Sequence, residues 1–278
     1  MTNPNQKISF TKMQGAGNDF VVLDNRSLNL SKDELIELTP QICHRKFGVG
    51  ADGLITLLTT ERDDVDYTMF YRNADGSDAG MCGNGARCMA LFAHSNGFGK
   101  QQVFNVHDQV YEALVEGPHS VQISFPMQTS IEKTELHHRP HYFLRTGTEH
   151  LVTTVDENSL KNEDKLKKEG RELRYHTQFQ PAGTNVNFIS GVDECSLKLQ
   201  TYERGVEDLT LACGTGAIAS ALVWHHLQKK KPSGCKYEVE TKGGSLFVYF
   251  SFDPETKNYS NINLEGPAHF VFKGEYSF

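Results

Sequence analysis

The sequence predicts an α/β chain made of two pseudo-symmetric halves, each a sheet wrapped around a central buried helix. Three observations lead to this prediction. The chain contains an internal repeat, both halves carry short runs of β-branched and aromatic residues, and two glycine-started helical segments are almost without charge. The 278 residues suffice for one large domain or two small ones.

The internal repeat is the strongest of these observations. Tyr71–Ala86 aligns without a gap with Tyr202–Ala217 at an offset of 131 residues (213 − 82). The tyrosine, the cysteine, both glycines of a Cys-Gly-x-Gly motif and the final alanine coincide. A second pair of stretches, starting at Gly17 and Gly147, agrees at an offset of 130 (147 − 17). Two separate stretches that share nearly one offset indicate two copies of one fold.

Strand-like runs occur in both copies. In the first half they are Ile8–Lys12, Phe20–Asp24, Leu54–Leu58, Tyr67–Tyr71 and Val121–Phe125. In the second half they are Leu151–Val155, Val186–Ile189, Leu197–Tyr202, Tyr237–Thr241 and Leu246–Phe250.

Local signals place the helices and one turn. Ser31 and Glu34 form a capping-box pattern that opens an amphipathic helix running toward Cys43. The highly charged segment Asp156–Lys168 is predicted to be its counterpart in the second copy. Lys242–Ser245 (KGGS) lies between two strand runs and predicts a hairpin turn.

The two remaining helices are apolar or small nearly all round, which predicts burial on every side. One follows Cys82 and the other follows Cys213. A helix start presents unpaired N–H groups and a positive dipole end, which lower the pKa of a neighbouring thiol and attract carboxylates. The glycines allow a ligand to approach the backbone closely. Each copy is therefore predicted to hold a reactive thiol beside an anion cradle.

Two equivalent thiols suit one reaction class, the inversion of a carbon stereocentre. One thiolate removes the α-proton, and the opposite thiol delivers a proton to the other face. Because the reverse reaction exchanges these roles, the two groups should be chemically alike, as duplication makes them. Oriented donors around the carboxylate must stabilise the carbanion in place of a cofactor.

Composition excludes several other classes. The balance of 28 Lys and Arg against 35 Asp and Glu gives a net charge of −7, which argues against a protein that neutralises nucleic-acid phosphates. No run approaches the length of a membrane span, and the N-terminus lacks the apolar region of a secretory signal. A soluble cytoplasmic protein with reduced cysteines is the expectation.

At this point the residues resemble a known family, the diaminopimelate epimerases. The matching motifs run in family order over nearly the whole chain: Gly15–Phe20 (GAGNDF), Gly48–Gly53 (GVGADG), Asn73–Gly76 (NADG), Cys82–Arg87 (CGNGAR), Gly183–Phe188 (GTNVNF), Glu203–Gly205 (ERG) and Cys213–Gly216 (CGTG).

The resemblance implies an epimerase that interconverts LL- and meso-diaminopimelate without pyridoxal phosphate, in lysine and peptidoglycan precursor synthesis. It also implies two α/β halves with the active site in the cleft between them. Since the closing strand of that family returns to the first domain, the halves are expected at 1–128 plus 268–278, carrying Cys82, and at 129–267, carrying Cys213. The expected partner is a small-molecule substrate, with no cofactor, metal, nucleic acid or membrane, and a homodimer is left open.

The resemblance also implies roles for individual residues. Cys82 and Cys213 are the expected acid/base pair, and His150 and Glu203 match positions that tune the thiols, Glu203 also at the substrate. The reacting carboxylate is expected on four residues at the helix starts: Gly83, Asn84, Gly214 and Thr215. The amine and carboxylate of the distal centre are expected on Asn18, Asn73, Asn185 and Arg204.

Three positions depart from the family pattern. Thr148 replaces the asparagine of a Gly-Asn-Pro-His motif, which here reads Gly-Thr-Glu-His. Gly53 stands where some members carry a substrate-facing glutamine, and Leu209 where an acidic residue is usual. Thr148 and Gly53 bear on specificity at the distal end of the substrate.

Other conspicuous residues are interpreted as structural. The remaining cysteines, at positions 43, 88, 195 and 235, are expected to be inert core. Gly48–Gly53 fits a dinucleotide-binding pattern but lacks the flanking strand and helix, so that function is rejected. The histidine pairs at 137/138 and 225/226 lack metal-ligand spacing and are expected at the surface. Arg204 has a structural alternative as a plain ion-pair partner.

Three hypotheses for the function stay open at this stage. The first is diaminopimelate epimerase, and the second is another cofactor-independent amino-acid racemase or isomerase. The third is a cysteine hydrolase or an inactive binding protein. A hydrolase needs one nucleophile paired with a histidine and gives no reason for a second equivalent cysteine.

Overall fold

The chain folds into two compact units. The computed structural model describes residues 7–228 and 236–277. One unit comprises Met1–Ser124 with Gly266–Phe278, and the other comprises Phe125–Glu265. The boundaries inferred from the sequence, at 128/129 and 267/268, stay a prediction. Among the described residues, no helix combines the length and apolar character needed to cross a membrane.

The described residues of the first unit form eight strands and three helices. The strands are β1 (Lys7–Gly15), β2 (Asn18–Asp24), β3 (Gly53–Leu58), β4 (Tyr67–Asn73), β5 (Gln101–Val106), β6 (Gln109–Val115), β7 (Ser120–Phe125) and, at the end of the chain, β17 (His269–Ser277). The helices are α1 (Asn25–Leu28), α2 (Lys32–Ile42) and α3 (Gly83–Ser95).

The second unit has the remaining elements. Its strands are β8 (Glu132–Leu136), β9 (Arg139–Arg145), β10 (Glu149–Thr154), β11 (Asn185–Gly191), β12 (Ser196–Glu203), β13 (Asp208–Thr210), β14 (Tyr237–Thr241), β15 (Gly244–Phe252) and β16 (Tyr259–Pro267). Its helices are α4 (Glu157–Leu160), α5 (Glu163–Arg174) and α6 (Gly214–Leu227), with a 3₁₀ turn at Thr177–Phe179.

Strand pairing within each unit follows one pattern, which confirms the duplication. In the first unit β17, β1 and β2 pair antiparallel, β2 with β3 parallel, β3 with β4 antiparallel, β4 with β5 parallel, and β5, β6 and β7 antiparallel. In the second unit β8, β9, β10, β11, β12, β14, β15 and β16 repeat these directions in the same order. The short β13 is an addition that pairs with β12.

One buried helix lies inside each sheet, as the sequence predicts. Helix α3 packs against β1, β2, β3, β4 and β6, and α6 packs against β9, β10, β11, β12, β14 and β15. All residues from Gly83 to Ala93 are buried. Residues Gly216 to Val223 of α6 are buried as well. The small residues of both helices allow the surrounding strands to close around them.

Two local predictions need correction. The segment Asp156–Lys168 is two helices rather than one, because Asn162 accepts a hydrogen bond from the backbone of Lys165 and starts α5 anew. His225 is not at the surface but 3% exposed, and its Nδ1 lies 2.9 Å from the Tyr259 hydroxyl. His137, His138 and His226 are exposed as expected.

The structural cysteines divide into three groups. Cys43 and Cys88 are buried, and burial raises the pKa of each thiol to about 12, so both are unreactive core residues as predicted. Cys195, expected to be a reduced core residue, is instead disulfide-bonded. Cys235 lies outside the described residues.

The capping box of α2 allows a direct test of whether Ser31 stabilises the start of this helix. Ser31 Oγ accepts the Glu34 backbone N–H at 3.2 Å, and the Ser31 N–H donates to the Glu34 carboxylate at 2.8 Å. We expect Ser31→Ala to lower the free energy of unfolding by about 1 kcal/mol. Chemical denaturation measures this change.

Ser27→Ala is the matched control for that substitution. Ser27 is an exposed serine of the neighbouring helix α1, and within the described residues its side chain makes no hydrogen bond. Its replacement should leave unfolding unchanged. Equal effects of the two substitutions would contradict the role of the cap.

Candidate active site

Cys82 starts the buried helix of the first unit. It is the N-cap of α3, and its Sγ accepts the backbone N–H of Gly85 at 3.4 Å. The Sγ atom also lies 3.7 Å from Oδ1 of Asn18, which can accept a hydrogen bond from the thiol. A donor on one side and an acceptor on the other allow this sulfur to exist as thiolate or as thiol.

Asn18 is held in one orientation by charged residues behind it. Its Nδ2 donates to Asp52, which also accepts from Arg45 at 2.6 Å. Arg45 and Lys12 both bond to the neighbouring Asp19. Although burial raises the pKa of Asp19, the two cations outweigh it and hold that pKa near 2. Because the Asn18 amide nitrogen is tied to a carboxylate, its oxygen is the atom presented to Cys82.

The other predicted residues of this unit flank the helix start. Gly83 is the first residue of α3, and Asn84 is buried with its Oδ1 accepting from Arg87 at 2.6 Å. Asn73 ends β4, and its Nδ2 donates to Ser77 Oγ at 3.0 Å. The structure therefore brings Asn18 to Cys82 and places Asn73 at a neighbouring strand end.

Cys213 repeats the backbone geometry of Cys82 in the second unit, without the side-chain cap hydrogen bond. It is the N-cap of α6 with φ −115° and ψ 113°, against φ −113° and ψ 114° at Cys82. Its Sγ lies 3.6 Å from Oγ1 of Thr215, and either atom can donate the proton. Gly214 is the first residue of the helix. The two cysteines thus have one backbone conformation and different polar neighbours.

His150 lies behind Cys213 and is completely buried. Its Nε2 is 3.0 Å from the hydroxyls of both Thr148 and Thr215, while its Nδ1 is 3.1 Å from Nδ2 of Asn187. Since an amide nitrogen only donates, Nδ1 is the acceptor and Nε2 carries the proton. Burial, with the field of Arg204, lowers the pKa of His150 to about 3, so the ring is neutral at physiological pH.

Arg204 is held by the loop before β11 and by Glu149, a residue that was not predicted from the sequence to belong to the site. Its Nη1 donates to Glu149 at 3.0 Å and to the carbonyls of Ala182 and Gly183. Within the described residues, Nε and Nη2 make no hydrogen bond. The guanidinium is therefore fixed along one edge and presents the other.

The predicted residues of the second unit form one connected hydrogen-bond chain. Thr148 Oγ1, which contacts His150, accepts from Nδ2 of Asn185 at 3.1 Å. Asn185 Oδ1 in turn accepts the backbone N–H of Arg204 at 2.9 Å. The chain runs through Cys213, Thr215, His150, Thr148, Asn185 and Arg204. Glu203 is half-buried at the end of β12, directly before Arg204.

Three contributing residues were missed by the sequence reading. Asp52 orients Asn18, Asn187 sets the tautomer of His150, and Glu149 pairs with Arg204. Asp52 and Asn187 do lie in the quoted GVGADG and GTNVNF motifs, so their polar side chains beside predicted buried strands were available as a signal.

The departure at Gly53 has a steric reason. A Cβ atom at this position would lie 2.4 Å from the Arg72 carbonyl and 2.5 Å from the ring of Tyr71. Tyr71 fills the space that a larger residue at position 53 would need. A glutamine cannot be accommodated there without moving Tyr71.

Each unit has a cysteine at the start of a buried helix within a duplicated sheet, as expected for a cofactor-independent isomerase. In fold, the chain is similar to a PhzF-family phenazine biosynthesis protein of Bacillus anthracis, with a TM-score of 0.74, 15% identity and coverage of 98% of this chain and 100% of that one.

Sequence comparison gives the particular family. The model described as diaminopimelate epimerase matches residues 10–113 and 142–271. A diaminopimelate epimerase of Flavobacterium psychrophilum is 39% identical over 94% of this chain and 97% of its own length. One of Chlorobaculum tepidum is 40% identical over 94% of this chain and 98% of its own. The chain belongs to the diaminopimelate epimerase family and is an isomerase.

Equivalent glycines of the two helix starts have different surroundings, which gives a paired test. A Cβ at Gly85 would meet Ile55 Cδ1 at 2.9 Å, the movable end of a side chain. A Cβ at Gly216 would meet Asn187 Oδ1 at 2.5 Å, and that atom is held by the Thr201 hydroxyl at 2.9 Å.

We therefore expect Gly216→Ala to cost about 2 kcal/mol of stability and Gly85→Ala much less, because alanine also favours the helix by about 1 kcal/mol. Thermal and chemical unfolding of the two variants measure the difference. Equal losses would show that Asn187 yields as easily as an isoleucine methyl group.

Proposed function

We propose that this protein interconverts LL- and meso-2,6-diaminopimelate by proton transfer to and from two thiols, Cys82 and Cys213. The observation that carries the proposal is the pair of cysteines capping equivalent buried helices with the same backbone conformation. The family supplies the substrate, and the duplicated helix start supplies two groups of like chemistry.

The proton transfer uses each cysteine once. The thiolate of one cysteine takes the hydrogen of the substrate α-carbon as a proton and becomes a thiol. The other thiol gives its proton to the opposite face of the carbanion and becomes a thiolate. The substrate leaves with inverted configuration, no atom is gained or lost, and the reverse reaction restores the starting protonation.

The backbone stabilises the charge that develops on the reacting carboxylate. We assign this role to the helix starts of α3 and α6, namely the residues Gly83, Asn84, Gly214 and Thr215. Their N–H groups are oriented before the reaction, and Gly83, Asn84 and Gly214 are buried while Thr215 is half-buried, so hydrogen bonds to an anion are strong there. This preorganised field is the proposed replacement for a cofactor.

Each cysteine has neighbouring polar groups that can hydrogen-bond to its sulfur in the protonation states that the reaction needs. When Cys82 holds the proton, it donates to Asn18 Oδ1, and when it is a thiolate, it accepts from Gly85. When Cys213 is a thiolate, the Thr215 hydroxyl donates to it, and the neutral Nε2–H of His150 donates to Thr215. His150 is therefore a positioning residue, and Glu203 is kept as a proposed tuning and substrate residue.

The distal amino-acid group of the substrate needs partners of both charges. We assign its carboxylate to the open Nε–Nη2 edge of Arg204, which suits a planar anion. The amide oxygens and N–H groups of Asn18, Asn73 and Asn185 are the proposed partners of the ammonium and of the second carboxylate oxygen. An analogue without this group would leave the site's polar atoms unpaired.

One observation favours a second candidate, a related amino-acid racemase with another substrate. Glu149 already neutralises Arg204 at 3.0 Å, and a proline stands at this position in the family motif. A substrate without a distal carboxylate is then less disfavoured. Comparing turnover of diaminopimelate with that of monocarboxylic amino acids distinguishes the two candidates.

Location and assembly belong to the proposal as well. The chemistry needs both thiols unoxidised, which suits the reducing cytoplasm. A homodimer is kept as an assembly to be tested by light scattering.

The thiol pair gives the first test of this function. We expect Cys82→Ser and Cys213→Ser each to lower epimerisation by at least about a thousandfold, because a serine hydroxyl is a far weaker acid. Chiral product analysis and deuterium uptake at the α-carbon measure the loss. Cys43→Ala, at a buried cysteine outside the site, should retain turnover. Substantial turnover in either serine variant would rule out the two-thiol mechanism.

Arg204 gives a test of the substrate. Arg204→Lys should raise the KM for diaminopimelate about tenfold or more with a smaller effect on kcat, because the ammonium lacks a two-donor edge. The matched control is Arg145→Lys, since Arg145 contacts the same Glu149 at 3.7 Å from an exposed position. An unchanged KM in Arg204→Lys, with faster turnover of a monocarboxylic amino acid, would favour the second candidate.

A further inference from the structure

Arg87 is the one residue of the CGNGAR motif with a charge, and the mechanism above does not use it. It is 0% exposed and is among the largest completely buried side chains of the described residues. Ionic side chains are almost never fully buried unless a group of opposite charge accompanies them. The structure must therefore supply a counter-charge.

The hydrogen bonds of Arg87 do not contain this counter-charge. Nη2 donates to the amide oxygen of Asn84 at 2.6 Å, and Nε donates to the Pro267 carbonyl at 3.3 Å, both neutral acceptors. Within residues 7–228 and 236–277, Nη1 has no hydrogen-bond partner. The bond to Asn84 shows that the side chain runs back along α3 toward its N-terminus, as long side chains in helices do.

The guanidinium is charged at physiological pH in spite of its burial. Burial lowers its pKa to about 10, and Cys88 and then Cys82 oppose this by their negative charge when ionised. Cys88 cannot serve as the counter-charge, because burial raises its pKa to about 12 and keeps it neutral. The carboxylates on the strands that pack against α3 are paired elsewhere or face solvent: Asp19 pairs with Lys12, Asp24 pairs with Arg26, and Glu112 on β6 is exposed. The remaining charge near the helix, Arg72 on β4, is itself a cation. Cys82 remains.

The duplication shows that this arrangement belongs to one half only. The position equivalent to Arg87 at the offset of 131 (218 − 87) is Ile218, which is also completely buried. Helix packing alone is therefore satisfied at this position by an apolar residue. The cation is an addition to the first helix start.

We propose that Arg87 is a positioning residue that stabilises the thiolate of Cys82, so that Cys82 is the resting base and Cys213 the resting acid. Arg87 does so from a buried position on α3, without contact with solvent. Its full positive charge adds to the stabilisation that the Gly85 N–H bond gives to the sulfur. The inference rests on the proposed two-thiol function for its catalytic meaning. Its electrostatic content can be measured without any substrate.

The experiment follows the alkylation of each cysteine by iodoacetamide as a function of pH, with peptide mapping by mass spectrometry. In the Cys213→Ser background, the midpoint for Cys82 should lie well below that of an ordinary thiol, which is about 8.5. Adding Arg87→Met should raise it by about 1 pH unit or more, as expected when a nearby opposite charge is removed. Arg87→Lys should restore part of the shift.

Cys213 in the Cys82→Ser background is the internal control. Its midpoint should not move on Arg87→Met, whereas a general loosening of the fold would shift both thiols. Equal shifts, or none at Cys82, would overturn the proposal. If Arg87→Met does not fold, the alkylation midpoints of the two cysteines are compared in the protein that keeps Arg87. A midpoint for Cys82 at or above that of Cys213 would contradict the assignment.

These readouts separate the inference from the proposed function. If the protein does not epimerise diaminopimelate but Cys82 is acidic and this acidity depends on Arg87, the proposed substrate is wrong and the electrostatic role of Arg87 stands. If the protein epimerises diaminopimelate but Cys82 titrates as an ordinary thiol, the proposed function stands and the role of Arg87 is wrong.

Discussion

The structure depends on burying an entire helix inside each sheet. A buried helix start must satisfy its first N–H groups without water, since an unpaired buried donor costs about 1–3 kcal/mol. At α3 a cysteine sulfur takes one of these N–H groups, and small residues allow the strands to close around the turn. The same requirement therefore produces a packed core and a thiol at the start of a buried helix. Core and candidate site are one feature in this fold.

Duplication provides two copies of this feature, and the surroundings make them different. The first copy has an internal cation, Arg87, and an amide, Asn18, that faces the sulfur. The second has a neutral histidine and the Thr215 hydroxyl in line with Cys213. The same backbone conformation therefore places different proton donors and acceptors beside each cysteine.

Much of this could be predicted from the sequence, for an identifiable reason. The strands, the capping box at Ser31 and the two cysteine-capped helices depend on neighbours close in the chain, so periodicity and spacing report them. The duplication of the fold followed from the repeat offset alone. The types of these secondary-structure elements are set by residues close in sequence, without contacts to distant parts of the chain.

The features that were missed depend on contacts between distant parts of the chain. His225 was expected at the surface because the histidine pair lacks metal-ligand spacing, but the aromatic residues Tyr237, Phe250 and Tyr259 from later strands enclose it. Glu149 and Arg204 are 55 positions apart (204 − 149), and no local pattern connects them. The break before α5 came from a single asparagine that caps more strongly than it continues a helix.

The pair formed by Glu149 and Arg204 also affects how a substrate arrives. Opposite charges 3.0 Å apart largely cancel beyond a few ångströms, so this pair adds little to the field that reaches into solution. The net charge of the whole chain, −7, does not attract an anionic group either. Under the proposed function, long-range attraction by this ion pair therefore plays little part in the encounter with an amino acid, and the pair's contribution to the encounter rate should depend little on ionic strength.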